Sequence, residues 1–114
     1  MNNCLFCQIG SGQIPAKVVL QDDEVLAFDD VNPQAPVHVL VIPKRHVVAL
    51  NDAGAGDHVL LGRLLEAAAA VAGKKGIAES GYRVVANQGR DGGQSVFHLH
   101  LHVLGGRPMT WPPG

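Results

Sequence analysis

Charge is scarce in this chain of 114 residues, and what there is nearly cancels. Charged side chains make up 17% of it, against roughly 25% in an average soluble sequence. Nine basic residues against ten acidic ones leave a net charge of -1. With no basic stripe to grip a phosphate polymer, the composition argues against nucleic acid as a partner. A ligand with one or two phosphates stays open. Long apolar runs are missing too. The longest, Val37 to Ile42, is broken by His38 and falls far short of the about 20 residues a membrane span takes. Met1-Asn2-Asn3-Cys4 lacks the basic opening and apolar stretch of a secretion signal. Cysteine is limited to Cys4 and Cys7, which is no disulfide framework. These absences predict a cytoplasmic protein in a reducing setting, with no membrane partner.

What is present suffices for one folded domain over residues 1–114. Hydrophobic residues reach 46%, and a chain of this size buries roughly two-thirds of its unfolded surface. Lys17 to Leu20 and Glu24 to Phe28, parted by Gln21-Asp22-Asp23, predict a hairpin. Val37 to Ile42 predicts a strand ended by Pro43. Asp57 to Lys75 predicts the main helix, with Leu61, Leu64, Leu65, Ala68, Val71 and Ala72 on its inner face and Gly76 as its stop. Arg83 to Asn87 and Val96 to Leu104 predict two more strands. Residues 105–114, with three prolines and the only tryptophan, predict an extended arm. The sum is an α+β domain with a mostly antiparallel sheet of about five strands.

The chemistry concentrates in Phe97-His98-Leu99-His100-Leu101-His102-Val103. In a strand, successive side chains face opposite ways, so Phe97, Leu99, Leu101 and Val103 are expected in the core. His98, His100 and His102 then form a row on the other face. A metal site and a nucleophile are the two readings. Strand neighbours two apart stand about 6.8 Å from each other and the outer pair about 13.5 Å. Ligands to one zinc must all come within about 2.1 Å of it. Two adjacent imidazoles can converge on one ion, but three in a row cannot. At least one histidine is left for other work. Just upstream, the Gly92-Gly93 turn and Ser95 offer unobstructed N–H groups and a hydroxyl, a cradle for an anion. Nucleophile and cradle together suggest nucleotidyl or phosphoryl transfer.

With these residues in view, the sequence resembles the histidine triad (HIT) superfamily, whose signature stands here as His98-Leu99-His100-Leu101-His102-Val103-Leu104. Ile14-Pro15-Ala16-Lys17, Val31-Asn32-Pro33-Gln34-Ala35-Pro36-Val37-His38, Gly92-Gly93-Gln94-Ser95-Val96 and the ending Trp111-Pro112-Pro113-Gly114 are similar to its Hint branch. The resemblance implies a HIT-like α+β fold: a five-stranded antiparallel sheet, one main helix and a short N-terminal helix. It implies a nucleoside 5′-phosphoramidate hydrolase that releases a purine nucleotide, usually AMP, and needs no catalytic cofactor. His100 would be the nucleophile, which asks for a neutral imidazole with its other nitrogen held by a carbonyl or similar acceptor. His102 would donate to a phosphate oxygen, Ser95 would assist the leaving amine, and His38 would support the site. Asn87 and the N–H of Gly93 would hold phosphate and ribose, and Asp30 would take the ribose hydroxyls. Phe6, Ile14, Phe28 and Val31 would line the purine slot. Without the resemblance, Asp30 reads as a loop cap, Asn87 as a turn residue, and Phe6, Ile14 and Phe28 as plain core. Members of this type are homodimers through the helix and an edge strand, with the arm reaching toward the partner's site.

Cys4-Leu5-Phe6-Cys7 departs from the usual Hint pattern. By itself the pair is a redox couple, half of a zinc site or a coincidence. Many bacterial HIT proteins and the galactose-1-phosphate uridylyltransferases look similar here, and the resemblance implies a structural Zn²⁺ on Cys4, Cys7, His46 and His98. Such a site would pin the N-terminal segment to the sheet, and its loss is expected to cost stability more than chemistry. Three rival functions remain at this point: a nucleotide-binding regulatory module with incidental hydrolysis, a dinucleoside polyphosphate hydrolase, and a zinc-stabilised interaction domain without catalysis.

Overall fold

Asp22 accepts from the N–H groups of Glu24 (2.8 Å) and Val25 (2.9 Å), which turns the first hairpin where the sequence calls for it. The computed structural model describes residues 3–114. Its strands are β1 (Val18–Gln21), β2 (Val25–Asp29), β3 (Val37–Pro43), β4 (Tyr82–Val85) and β5 (Leu101–Gly105). They form one antiparallel sheet in the order β1-β2-β3-β5-β4. A short helix, α1 (Leu5–Gly10), covers one face, and the main helix, α2 (His58–Lys74), covers the other.

β3 sits at the centre of the sheet and is apolar on both sides. Val39 and Val41 pack under Leu60, Leu64, Ala68 and Val71 of α2. Leu40 and Ile42 pack with Leu26, Phe28 and Phe6 of α1. Cover on both faces is why this strand reads as a continuous run rather than an alternation. His38 is its one polar interruption, on the α1 face. Antiparallel register places His102 of β5 directly opposite Leu40.

The end of α2 is a Schellman motif. Gly76 has φ +74°, its N–H donates to Gly73 (3.3 Å), and that of Ile77 reaches back to Ala72 (3.0 Å). The inner face of α2 is rotated from the expected one. Leu65 is 58% exposed, and Leu60 takes its place in the core. Leu60, Leu64, Ala68 and Val71 follow the i+4 and i+3 steps of a single stripe, and Leu65 lies about 100° round from Leu64.

β5 departs from expectation at its start. The ladder with β3 ends at Val41 and Leu101, so residues 96–100 are not strand. They pack instead against the segment after β3, with the Leu99 N–H donating to the Val47 carbonyl (2.6 Å). Leu99, Leu101 and Val103 are in the core as expected, but Phe97 is 62% exposed. β4 ends at Val85, two residues short of Asn87. The arm after β5 is tied down by Arg83, which donates to the Thr110 carbonyl (2.7 Å), and by Arg107, which donates to that of Gln34 (3.1 Å). Among the described residues, no helix is long and apolar enough to cross a membrane.

The rotated helix face yields a direct test. Leu64 is 1% exposed, and Leu64→Ala is expected to cost about 2–5 kcal/mol in urea unfolding. Leu65→Ala should change stability by no more than about 0.5 kcal/mol. Equal losses would restore the face read from periodicity.

Candidate active site

A cleft of about 1120 Å³ opens on the α1 face of the sheet. Phe28 and Leu40 form its floor, Phe6 and Ile14 its N-terminal wall, and Asp30 to Gln34 a loop at its rim. Ser95, His100 and His102 enter from the side of β5, and His38 from β3. An apolar basin with a few convergent polar groups is the usual form of a small-ligand site. Val31 lines the basin from the rim but is wholly exposed.

The histidines do not act as one row. Because residues 96–100 leave the ladder, each ring finds a different partner. His100 Nδ1–H donates to the carbonyl of His98 (2.7 Å), so that in the neutral ring the lone pair belongs to Nε2, on a ring that lines the cleft. This carbonyl is the acceptor that a histidine nucleophile needs. His98 is fully buried, and its Nε2–H donates to the Pro43 carbonyl (2.7 Å). Its Nδ1 therefore presents a lone pair. Burial lowers its pKa and holds the ring neutral, against the pull of the Pro43 hydrogen bond.

A second chain of hydrogen bonds fixes His102. The Gln34 N–H donates to His38 Nδ1 (3.0 Å), so the His38 proton sits on Nε2. That nitrogen donates to His102 Nδ1 (2.8 Å), and His102 accordingly carries its proton on Nε2. Asn87 lies 3.5 Å from that Nε2. Asp30 Oδ1 accepts from the Asn32 N–H (2.8 Å), the loop cap foreseen for it, and Oδ2 lies 3.4 Å from His38 Nε2. Asp30, His38 and His102 thus bring three ligand-type atoms within 4.8 Å of one another. A metal there would need an imidazolate at His38, because one of its nitrogens accepts from a backbone N–H. The arrangement is a hydrogen-bond relay.

The glycine loop is built by contacts that the sequence did not single out. A Cβ on Gly92 would fall 2.3 Å from the Gln88 carbonyl oxygen, so only glycine fits there. Gln94 is buried: its amide donates to the Val48 (2.8 Å) and Val96 (3.1 Å) carbonyls, and its oxygen accepts from the Gly89 N–H (3.0 Å). Gln94 thereby sets where Ser95 stands at the cleft. The Gly93 N–H donates within the loop to the Arg90 carbonyl (3.1 Å), so the turn itself uses the donor expected for a phosphate. Gly93 and Asn87 are not among the residues lining the cleft.

Cys4, Cys7, His46 and His98 converge behind Phe6. His98 Nδ1 lies 3.4 Å from each sulfur and 3.3 Å from His46 Nδ1, which is 3.2 Å from Cys7 Sγ. A tetrahedral zinc with ordinary bond lengths has S···N edges of about 3.5 Å and an N···N edge of about 3.3 Å. The four residues fit that ion in ligand type and spacing, and the Pro43 carbonyl on His98 is the outer contact such a ligand requires.

A family profile described as HIT domain matches residues 11–109. The chain belongs to the HIT family. It is 56% identical over 110 residues, 96% of each chain, to an uncharacterized HIT-like protein of Synechocystis. It is 48% identical to the purine nucleoside phosphoramidase of Escherichia coli, covering 92% of this chain and 88% of that one. A crystal structure of a HIT family hydrolase from Legionella pneumophila superposes with a TM-score of 0.96 at 54% identity, covering 98% of this chain and all of that one. The five-stranded antiparallel sheet with one main helix is therefore the HIT fold.

Sequence reading missed three supports of this HIT site: the Pro43 carbonyl, the Gln34 N–H and the Gln94 amide. Only Gln94 left a signal, as the one polar residue between Gly92-Gly93 and the site serine.

Burial, helped by the imidazoles of His100 and His38, lowers the His102 pKa to about 4, and burial lowers that of His38 as well. Unfolded histidine titrates near 6.5, so between about 6.5 and about 4 the unfolded chain binds protons that the folded site refuses. Stability from these rings is full above pH 6.5 and declines as the pH falls. Thermal melts should show Tm dropping from pH 7 to pH 5, and His102→Asn should flatten that slope. A variant slope as steep as wild type would place the acid sensitivity elsewhere.

Proposed function

We propose that this HIT-family chain is a hydrolase of purine nucleoside 5′-phosphoramidates, acting through a nucleotidyl–His100 intermediate. The observation that carries the reading is the 2.7 Å bond from His100 Nδ1–H to the His98 carbonyl, which in the neutral ring assigns the nucleophilic lone pair to Nε2 at the cleft. The phosphoramidase name of the Escherichia coli relative supports the P–N bond as its target.

In the first step, His100 Nε2 bonds to the α-phosphorus in line with the leaving nitrogen, and the P–N bond breaks. The nitrogen takes up a proton from solvent and departs as a free amine, with the Ser95 hydroxyl held as a hydrogen-bond donor to it. His102 Nε2–H donates to a nonbridging oxygen and stabilises the charge developing there. Water then attacks phosphorus from the opposite side and gives up a proton to solvent, which offsets the one taken by the amine. The electron pair of the P–N bond returns to His100 Nε2, and a nucleoside monophosphate leaves. Two inversions give retention at phosphorus. Phe6, Ile14, Phe28 and Val31 would hold the base. Asp30 would take the ribose hydroxyls through its remaining acceptor sites.

Cys4, Cys7, His46 and His98 would hold a structural zinc, which would cross-link the start of α1 to the segments that follow β3 and precede β5. Two thiols kept as ligands suit a reducing cytoplasm. A homodimer is supported by the apolar side chains exposed on α2 (Val59, Leu65) and on the edge strand β4 (Tyr82, Val84).

The deciding experiment follows AMP release from an adenosine 5′-phosphoramidate of an arylalkyl amine. Wild type should turn over, and His100→Ala should lose at least about 10³-fold in kcat with AMP affinity nearly unchanged. A wild type that binds AMP without turnover would make this a binding module. Metal analysis of the purified protein should find one zinc per chain, and chelation should lower Tm. A chain free of metal with unchanged Tm would remove the zinc from this reading.

A further inference from the structure

The wall of the cleft that would carry the base is not part of the sheet. It is α1 and the turn after it, which supply Leu5, Phe6, Ile9, Ile14 and Pro15 to the lining. This segment is one piece, because the N–H groups of Gln13 (2.9 Å) and Ile14 (3.1 Å) both donate to the Gln8 carbonyl. A helix of six residues has no stability of its own, since isolated helices shorter than about 12 residues are marginal in water. Its place therefore follows from its anchors.

Two anchors stand out, and both touch the triad. Phe6 sets its ring edge against Phe28 (5.6 Å between centroids), His98 (6.0 Å) and His100 (5.1 Å). Cys4 and Cys7 meet His98 Nδ1 at 3.4 Å, with His46 closing the group. His98 is shared between the two regions: its ring belongs to the thiol cluster, and its carbonyl holds His100 Nδ1–H.

We infer that Cys4, Cys7, His46 and His98 position the cleft as well as stabilise the fold, so that a metal held by them and a nucleotide in the cleft bind with positive coupling. The inference rests on the zinc and nucleotide readings above. With the thiols fixed to His46 and His98, the wall carrying Phe6 and Ile14 is already in place, and a nucleotide need not order it. Conversely, a base packed on Phe6 and Ile14 holds Cys4 and Cys7 beside the two imidazoles. Linkage makes the two enhancements equal. The cysteines touch no substrate, so they are positioning residues.

Competition with a chromogenic chelator measures the zinc affinity of the full chain with and without saturating AMP. Calorimetry measures AMP affinity in zinc-loaded wild type and in Cys7→Ser. AMP should tighten zinc about tenfold, and Cys7→Ser should weaken AMP by a similar factor, within the usual range for coupled sites. A purely structural cluster would shift Tm alone: zinc affinity indifferent to AMP overturns the coupling and leaves both parent readings standing. Failure to bind zinc overturns the metal reading, and a zinc-loaded wild type that ignores AMP overturns the nucleotide reading. Should Cys7→Ser fail to fold, the wild-type competition decides alone.

Discussion

The hydrogen bond from His98 Nε2–H to the Pro43 carbonyl, 2.7 Å long and wholly buried, is the contact on which the cleft side of the molecule depends. An imidazole buried without a partner would be costly. Once that proton is committed to β3, Nδ1 can only accept, and it faces two thiols and a second imidazole. The backbone of the same residue then holds the ring of His100. One residue thus joins the central strand, the thiol cluster and the candidate nucleophile.

The same device recurs around the cleft. His100 spends a proton on the His98 carbonyl, and His38 spends a lone pair on the Gln34 N–H. In each ring a backbone group settles one nitrogen and thereby the character of the other. Burial holds His38, His98 and His102 neutral, which keeps these assignments intact at ordinary pH. A cleft organised by tautomers needs little fixed charge, in keeping with a chain poor in charged residues.

Much of this architecture was legible because local rules and tertiary packing agree. The Asp22 turn, the doubly covered β3 and the glycine stop of α2 all lie where pattern alone predicts them. The misreadings fall where packing overrides pattern. Leu65 has helical periodicity with Leu61 and Ala68, but the sheet meets a stripe centred on Leu64 and Ala68. Phe97 continues a flawless alternation, yet β3 has no ladder left to offer it beyond Val41. Gln34 and Pro43 act through backbone atoms, which residue identity does not reveal.

The sequence by itself singled out the candidate residues for chemistry: His98, His100, His102 and Ser95 in one segment, and Cys4 and Cys7 near the start. Composition and periodicity also determined a single antiparallel sheet with one long helix. Only the tertiary structure decided which partner each histidine ring meets. Alternation places all three on one face, and their separation into cluster, candidate nucleophile and relay arises because residues 96–100 leave the ladder. Tautomers, too, belong to the fold: a proton settles on one nitrogen or the other according to the carbonyl or N–H that packing brings within 3 Å, and those partners come from strands and loops distant in the chain.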